Sequence, residues 1–302
     1  MDRIEAMSLL LLTVEKGSLT AAARAMNMPL PTVSRKLREL EAHLGAQLLV
    51  RTTRKLALTD AGTAYVAAAR RILRDIDEAE RTASGEFEAP RGELVITAPL
   101  LFGELHVLPI VTEFLATYSD ISVRLLLSDR NLHLVEDHID MAVRIGHLPD
   151  SSMIATRIGA MPTVVCASQA LLARLGTPER PEDLMAFPCV AFDSPMTRTL
   201  WTFRKADGAG TLEIAVTPRL SVTTASAAIR AAGDGVGATR LLLYQCAEAV
   251  GQGRVRRILA TFEPDPVPVS LLHAARGTLP LKMRVFLDFA TGRLRARLGA
   301  LA

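Results

Sequence analysis

Residues 17–58, GSLTAAARAMNMPLPTVSRKLRELEAHLGAQLLVRTTRKLAL, constrain this chain more than any other stretch. Their order predicts a short Ala-rich helix, a tight turn, a basic second helix and a small basic ribbon. Ser18 or Thr20 supplies a hydroxyl for the orphan N–H groups of the first helix. Leu19, Ala22, Ala23 and Met26 form its apolar face, and the alanines permit close approach of a neighbouring helix. Asn27 falls where the chain must reverse, and Asn tolerates the left-handed conformation better than most residues. Pro29 and Pro31 punctuate the turn, with Pro31 suited to a first helical position because its missing N–H costs nothing there. The second helix then runs from about Pro31 to Leu44. Val33, Leu37, Leu40 and Leu44 recur at amphipathic spacing, Glu41 interrupts them, and Gly45 ends the helix.

The polar side of this second helix carries Thr32, Ser34, Arg35, Lys36 and Arg38, all near its N-terminal end. Small hydroxyls and long cations at the tip, with aliphatics behind, suit a helix that enters a DNA major groove by its N-terminus. Leu48-Leu49-Val50 and Leu56-Ala57-Leu58 flank Arg51-Thr52-Thr53-Arg54-Lys55 as a two-stranded wing. Its basic tip is placed to reach phosphates or a minor groove. An ordinary helical hairpin with a solvated charged face is the competing reading. The combination of turn, basic helix and basic ribbon favours the DNA reading. A formal net charge of +3 over 302 residues would not by itself identify a nucleic-acid binder. The seven Lys or Arg between Arg24 and Lys55, against Glu39 and Glu41, are the more telling electrostatic footprint.

Asp60 is placed to cap a long helix reaching about Glu86. Tyr65, Ala68, Ile72, Ile76, Ala79 and Ala83 recur at three or four, the seam of a two-helix coil. A helix with one narrow apolar stripe needs a partner, either its own domain or a second copy. Glu88-Ala89-Pro90-Arg91-Gly92 reads as a boundary. Beyond it, strands at Glu93–Ala98, Ile121–Leu127 and Met141–Ile145 alternate with helices at Phe102–Tyr118 and about Asn131–Asp137, which predicts a parallel sheet. A second such unit starts near Thr163. It includes helices at Ala225–Ala232 and Tyr244–Val250, after which Pro264, Pro266 and Pro268 break the chain. Val269–Ala274 and the helix Met283–Leu298 return to the first unit.

The segments GSLTAAARAM and PTVSRKLRELEAHLGAQLLVRTTRKLALTDAG, with the long helix after them, resemble the N-terminal domain of LysR-type transcriptional regulators, and the resemblance extends over essentially the whole chain. It implies an α/β fold with an N-terminal all-α winged helix-turn-helix domain at 1–59, a dimerisation helix at 60–88 and an effector-binding domain at 91–302. That last domain would be two-lobed and periplasmic-binding-protein-like, with lobe I at about 91–161 and 268–302 and lobe II at about 162–267. By the same resemblance Pro31, Thr32, Ser34, Arg35 and Arg54 contact DNA. Leu30, standing where the family has a polar residue, offers apolar contact to a thymine methyl, and Arg38, Arg51 and Lys55 complete the expected DNA surface. Two heads on one dimer predict a near-palindromic double-stranded operator, and the assembly would be a dimer or a dimer of dimers.

In open parallel sheets ligands bind off the carboxyl ends of the strands. On the family pattern the small-molecule effector would touch Ala98, Leu100, Leu101, Phe102, Ser128, Phe192 and Thr223, with Arg144 either a cleft cation or a surface ion pair. N–H groups near Phe102–Glu104 would suit an anion. The apolar Leu100 and Leu101 argue instead for a larger, partly hydrophobic ligand.

Other chemistries find less support. His133 and His138 lie five apart, off one helical face and without a Cys pair, so no metal site and no cofactor are expected. Cys166, Cys189 and Cys246 form no CxxC, consistent with reduced, buried thiols in a cytoplasmic protein. The chain holds no GxSxG, and Gly233–Gly237 lacks the lysine of a phosphate loop, so no enzyme is expected. Trp201 and Phe203 alternate as core residues of a half-buried strand. The apolar run near the N-terminus lacks a basic n-region, and no stretch reaches the ~20 apolar residues of a membrane span. The rival function is a transport-class solute-binding protein with an incidental helical domain at its start.

Overall fold

The computed structural model describes every residue except 1, 52–55, 85–88, 131–133, 135, 136, 138, 149–152, 193–199, 275–278 and 302; the side chains of 51, 74, 75, 77–79 and 81–84 also lie outside the description. Two compact units divide the chain, Met1–Glu88 and Ala89–Ala302.

In the first unit α1 (Arg3–Lys16) begins where Asp2 Oδ1 accepts from the N–H groups of Ile4 and Glu5, at 2.9 and 3.3 Å. Helices α2 (Leu19–Ala25) and α3 (Leu30–Leu44) follow, then strands β1 (Leu49–Arg51) and β2 (Leu56–Leu58), paired antiparallel with Leu49 opposite Leu58, and the long α4 (Asp60–Ser84). Ser18, not Thr20, caps α2 through Ala21 N, and Asn27 adopts φ 51° in the turn. Helix α3 starts one residue earlier than expected, placing Pro29 at the cap and Pro31 in the first turn, where neither disturbs an intrahelical bond. Ala6, Leu9, Leu10, Ala23, Val33, Leu37, Leu40, Leu48, Leu49 and Val66 form the core. The helical spacing of Ile4, Met7, Leu11 and Val14 predicts an inward stripe, of which Met7 is buried, Leu11 and Val14 pack against this core, and Ile4 is the exception. Helix α1 packs against α2, α3 and α4 together, so its buried residues are Ala6, Met7, Leu9, Leu10 and Thr13, while Ile4 is 47% exposed.

The N-cap of α4 is likewise a correction. Thr59 Oγ1 accepts from Gly62 N at 2.8 Å and donates to Gln47 O at 2.7 Å. The cap thus ties α4 to the entry of the wing, while Asp60 sits in the first turn as a favourable negative charge. A β-carbon on Gly62 would lie 2.0 Å from Leu48 O, so this close approach requires glycine.

The second unit contains, among the described residues, two five-stranded sheets. Lobe I is built from β3 (Gly92–Ala98), the helix α5 (Leu100–Thr117), β4 (Ile121–Leu127), β5 (Met141–Ile145) and β6 (Met153–Met161). The chain crosses at Pro162 into β7 (Thr163–Ala167), α6 (Gln169–Leu175), β8 (Cys189–Phe192), the hairpin β9 (Leu200–Arg204) and β10 (Thr211–Ala215), β11 (Pro218–Val222), α7 (Ala225–Gly233), β12 (Ala238–Leu242), α8 (Leu243–Gly251) and β13 (Arg256–Ile258). It returns through β14 (Val267–Ala274) to the closing α9 (Leu281–Gly299). The sheet orders are β4-β3-β5-β14-β6 and β11-β8-β12-β7-β13.

Both sheets are mixed, which corrects the expectation of purely parallel ones. In each sheet four strands run in one direction and one runs against them, β14 in lobe I and β7 in lobe II, both beside a crossing. Chain that leaves one sheet and later returns to it enters in the opposite direction. Alternating side chains of β3 and β14 feed two cores: Leu94, Ile96, Val269 and Leu271 pack with α5 and α9, while Val95 and Leu272 pack with Leu134 and Ile139 on the other face. Helix α5 has the length and apolar composition of a membrane span, contrary to the sequence expectation, but Phe102, Ile110, Val111 and Phe114 are buried in the lobe I core. Trp201 and Phe203 are buried in the lobe II core. The helix expected at Asn131–Asp137 falls largely outside the described residues; of the boundary expected at Glu88–Gly92 only Glu88 does, and the two units divide between Glu88 and Ala89.

Candidate DNA-contact surface and interlobe cleft

The apolar stripe of α3 faces inward, so its N-terminal end and outer face are what remains for a ligand. Leu30 is 41% exposed, Pro31, Arg35 and Arg38 are exposed, and Thr32 and Ser34 are half-buried. Arg35 Nη1 approaches Glu39 Oε1 at 3.5 Å across one exposed helical turn, a weak contact that leaves the guanidinium available to an anion. Arg38 Nε donates to Ser34 O at 3.3 Å. Lys36 instead pairs with Glu5 of α1 and is held back from the tip. Glu41, an interruption in the apolar pattern, accepts from Leu48 N and Leu49 N at 2.9 and 3.1 Å and so holds β1 against α3. Arg54 and Lys55 lie outside the described residues, as does the side chain of Arg51.

In the second unit a cleft of about 320 Å³ opens between the lobes, lined mainly by apolar groups such as Ile145, Phe192, Leu242, Tyr244 and Val267. Of the residues expected there, Ser128, Arg144 and Phe192 line it. Ala98 and Phe102 are fully buried in the lobe I core instead, and Leu100, Leu101 and Thr223 lie away from the lining. The cause is the early start of α5. Leu100–Phe102 are helical, not loop, and Asp129 Oδ1 accepts from Leu100 N at 3.0 Å. That carboxylate already occupies the helix start where an effector anion was expected. Thr223 is exposed beside Thr224, whose Oγ1 caps α7 by accepting from Ala227 N at 3.3 Å.

Sequence reading missed Arg240 of β12 and Tyr244 of α8, both in the lining. Arg240 follows five uncharged residues and reads as one polar position in a strand; nothing local tells which face it takes. Burial lowers the pKa of Arg240 and of Arg144. Behind the cleft, Tyr244 meets Phe102 and His106 edge-on, with ring centroids 5.3 and 5.7 Å away. Cys246 Sγ donates to Leu243 O at 3.3 Å beside Cys166 in the lobe II core; the neighbouring thiol and burial raise the Cys166 pKa, and burial pushes Cys189 up to about 12. Among the described residues no three His, Cys, Asp or Glu side chains gather as metal ligands; His133 and His138 lie outside them.

A helix-turn-helix head with a wing, joined to two α/β lobes around a small-molecule-sized cleft, defines a ligand-responsive DNA-binding regulator. The family model for the bacterial regulatory helix-turn-helix protein, lysR family, matches residues 4–63, and that for the LysR substrate binding domain matches residues 87–295. The chain belongs to the LysR family of transcriptional regulators. It is 36% identical over 288 residues to an HTH-type transcriptional regulator of Xanthomonas campestris pv. campestris, covering 93% of this chain and 82% of that one. It is 30% identical to the HTH-type transcriptional activator AaeR of Escherichia coli, covering 96% and 94%. The solved structure of CrgA, a LysR-type regulator from Neisseria meningitidis, superposes with a TM-score of 0.61 at 29% identity, covering 96% and 98%. Proteins of this family bind operator DNA and effector ligands and form oligomers, and the chain is an effector-modulated regulator, not a transport protein.

Proposed function

We propose that α3 enters the major groove with Leu30, Pro31, Thr32, Ser34, Arg35 and Arg38 at the DNA, while Arg51, Arg54 and Lys55 of the wing meet the flanking backbone. The observation carrying this reading is the exposed cationic end of α3 above a wholly apolar inner face. The active form is a dimer paired through α4, reading a near-palindromic operator in the cytoplasm, without catalysis. Ile4, Leu44 and Ile72, each at least 37% exposed, line one groove with Tyr65 and Ile76, and such a stripe suits a second copy. The effector sits in the interlobe cleft, touching Ser128, Arg144, Phe192, Arg240 and Tyr244. It acts by favouring one arrangement of the lobes over another.

Selection from a random duplex pool supplies the operator for the test. Arg35→Ala weakens binding to the selected duplex and lowers the salt slope by about one. Parent-like affinity at matched ionic strength for both Arg35→Ala and Arg54→Ala refutes the assignment of the head.

A further inference from the structure

The charges around the cleft specify more than its volume does. Arg144 comes from β5 of lobe I and Arg240 from β12 of lobe II, and among the described lining residues Asp129 is the one carboxylate. Asp129 is already engaged with Leu100 N. The backbone donors where α8 begins are also engaged: Leu242 N donates to Gln245 Oε1 at 2.9 Å and Leu243 N to Pro162 O at 2.8 Å. The leading backbone donors of both helix starts are thus already taken. The Arg240 guanidinium makes no hydrogen bond or ion pair with a described residue and is half-buried among Phe192, Leu241 and Leu242. A guanidinium does not relieve such desolvation by losing its proton at neutral pH. The empty-handed cation is the signature of a partner that arrives with the ligand.

We propose that the effector is an organic monoanion, a carboxylate or comparable oxyanion on an apolar body, whose charge pairs with Arg240 while Arg144 supplies a second positive charge from the opposite lobe. The inference rests on the effector-cleft reading above. A single added negative charge matches the Arg240 guanidinium, which has no described partner of its own. A cleft of about 320 Å³ falls at the small end of the range of small-molecule pockets, roughly 300–1,000 Å³. The apolar lining recognises the body by burial and the arginines fix its orientation. An anion held from both lobes binds the closed arrangement better than the open one, which is the differential affinity that regulation needs.

The test titrates full-length protein with benzoate, hexanoate and benzenesulfonate, with their uncharged amides, and with the dianion phthalate, in a chloride-free buffer of low ionic strength. Calorimetry and the shift in Tm report binding. At least one monoanion binds. Its amide binds at least ~30-fold more weakly, as does phthalate relative to benzoate. Arg240→Met loses at least ~30-fold for the monoanion, and Arg240→Lys falls between. Circular dichroism matching the parent establishes that the variants fold, and the Tm of ligand-free Arg240→Met equals or exceeds the parent's because a desolvated charge has gone. The proposal is overturned if amides match acids, if Arg240→Met binds the acid like the parent, or if no monoanion shifts Tm where a millimolar Kd would show. An amide that binds and changes operator affinity refutes the anion while leaving the effector cleft standing. An acid that binds through Arg240 without changing operator affinity upholds the anion and refutes the regulatory role of the cleft.

Discussion

At the residue scale, His106 is a polar side chain buried without a hydrogen-bond partner among the described residues. Its ring lies against Phe102 and Tyr244. Burial lowers its pKa below the ordinary 6.5, and the charge of Arg297 acts in the same direction. The folded protein therefore keeps the ring neutral while the unfolded chain takes up a proton as pH falls through about 6.5. Stability is complete above that pH and declines below it, until the folded state itself protonates. His106→Leu removes this contribution, so the urea midpoint of the variant falls less than the parent's between about pH 7 and pH 5. Parallel curves would show that another group carries the acid sensitivity. Glu41 shows the opposite case, a charged residue whose purpose is local. Its two backbone hydrogen bonds hold the wing to α3, and its position on an otherwise apolar spacing is the sole trace of this in the sequence.

At the scale of elements, caps and close approaches decide where segments begin. Thr59 and Gly62 act together: the threonine closes the first turn of α4, and the glycine lets that turn lie against Leu48 O. Gly62→Ala places a methyl within a backbone contact that no side-chain rotation relieves. We expect it to destabilise the head by about 1–3 kcal/mol, with loss of DNA binding preceding any change in the effector domain. Differential unfolding of the two units, followed by near-native hydrogen exchange in the head and in the lobes, measures this. Retention of full head protection would contradict the packing of α4 on the wing. The start of α5 has the same origin. Asp129 caps Leu100 from 29 positions away, so the helix reaches back to Pro99 and swallows the loop expected there. Strand β6 was not anticipated, since MIATRIGAM alternates poorly and contains Gly159; as an edge strand it is held through β14 alone.

At the scale of the whole molecule, the unsatisfied surface of the first unit argues for pairing. Ile72 is 37% exposed on α4 and shares a groove with Ile4, Leu44, Tyr65 and Ile76. Burying such a stripe against a twin contributes about 25 cal/mol per Å² of apolar area, and a charge within it removes that gain. Ile72→Glu should move the protein toward monomer in analytical ultracentrifugation and weaken operator binding well beyond any change in a single-head interaction, while circular dichroism stays parent-like. An unchanged sedimentation coefficient would place the interface elsewhere. Ala79 and Ala83, the far end of the expected seam, lie outside the residues whose side chains are described.

Sequence alone was enough wherever the deciding forces act between near neighbours. The 3–4 spacing of Val33, Leu37 and Leu40 points one face of α3 inward, Asn27 and Gly45 take left-handed backbone, and the runs Ile121–Leu127 and Met141–Ile145 form the strands their composition indicates. Tertiary structure alone decided which charges meet the cleft. Arg240 is one residue of β12 whatever surrounds it, and it becomes a desolvated cation because β7, β8 and β5, up to a hundred positions away, close around it. Desolvation and pairing are properties of a neighbourhood, and the neighbourhood of Arg240 is assembled from segments that only folding brings together.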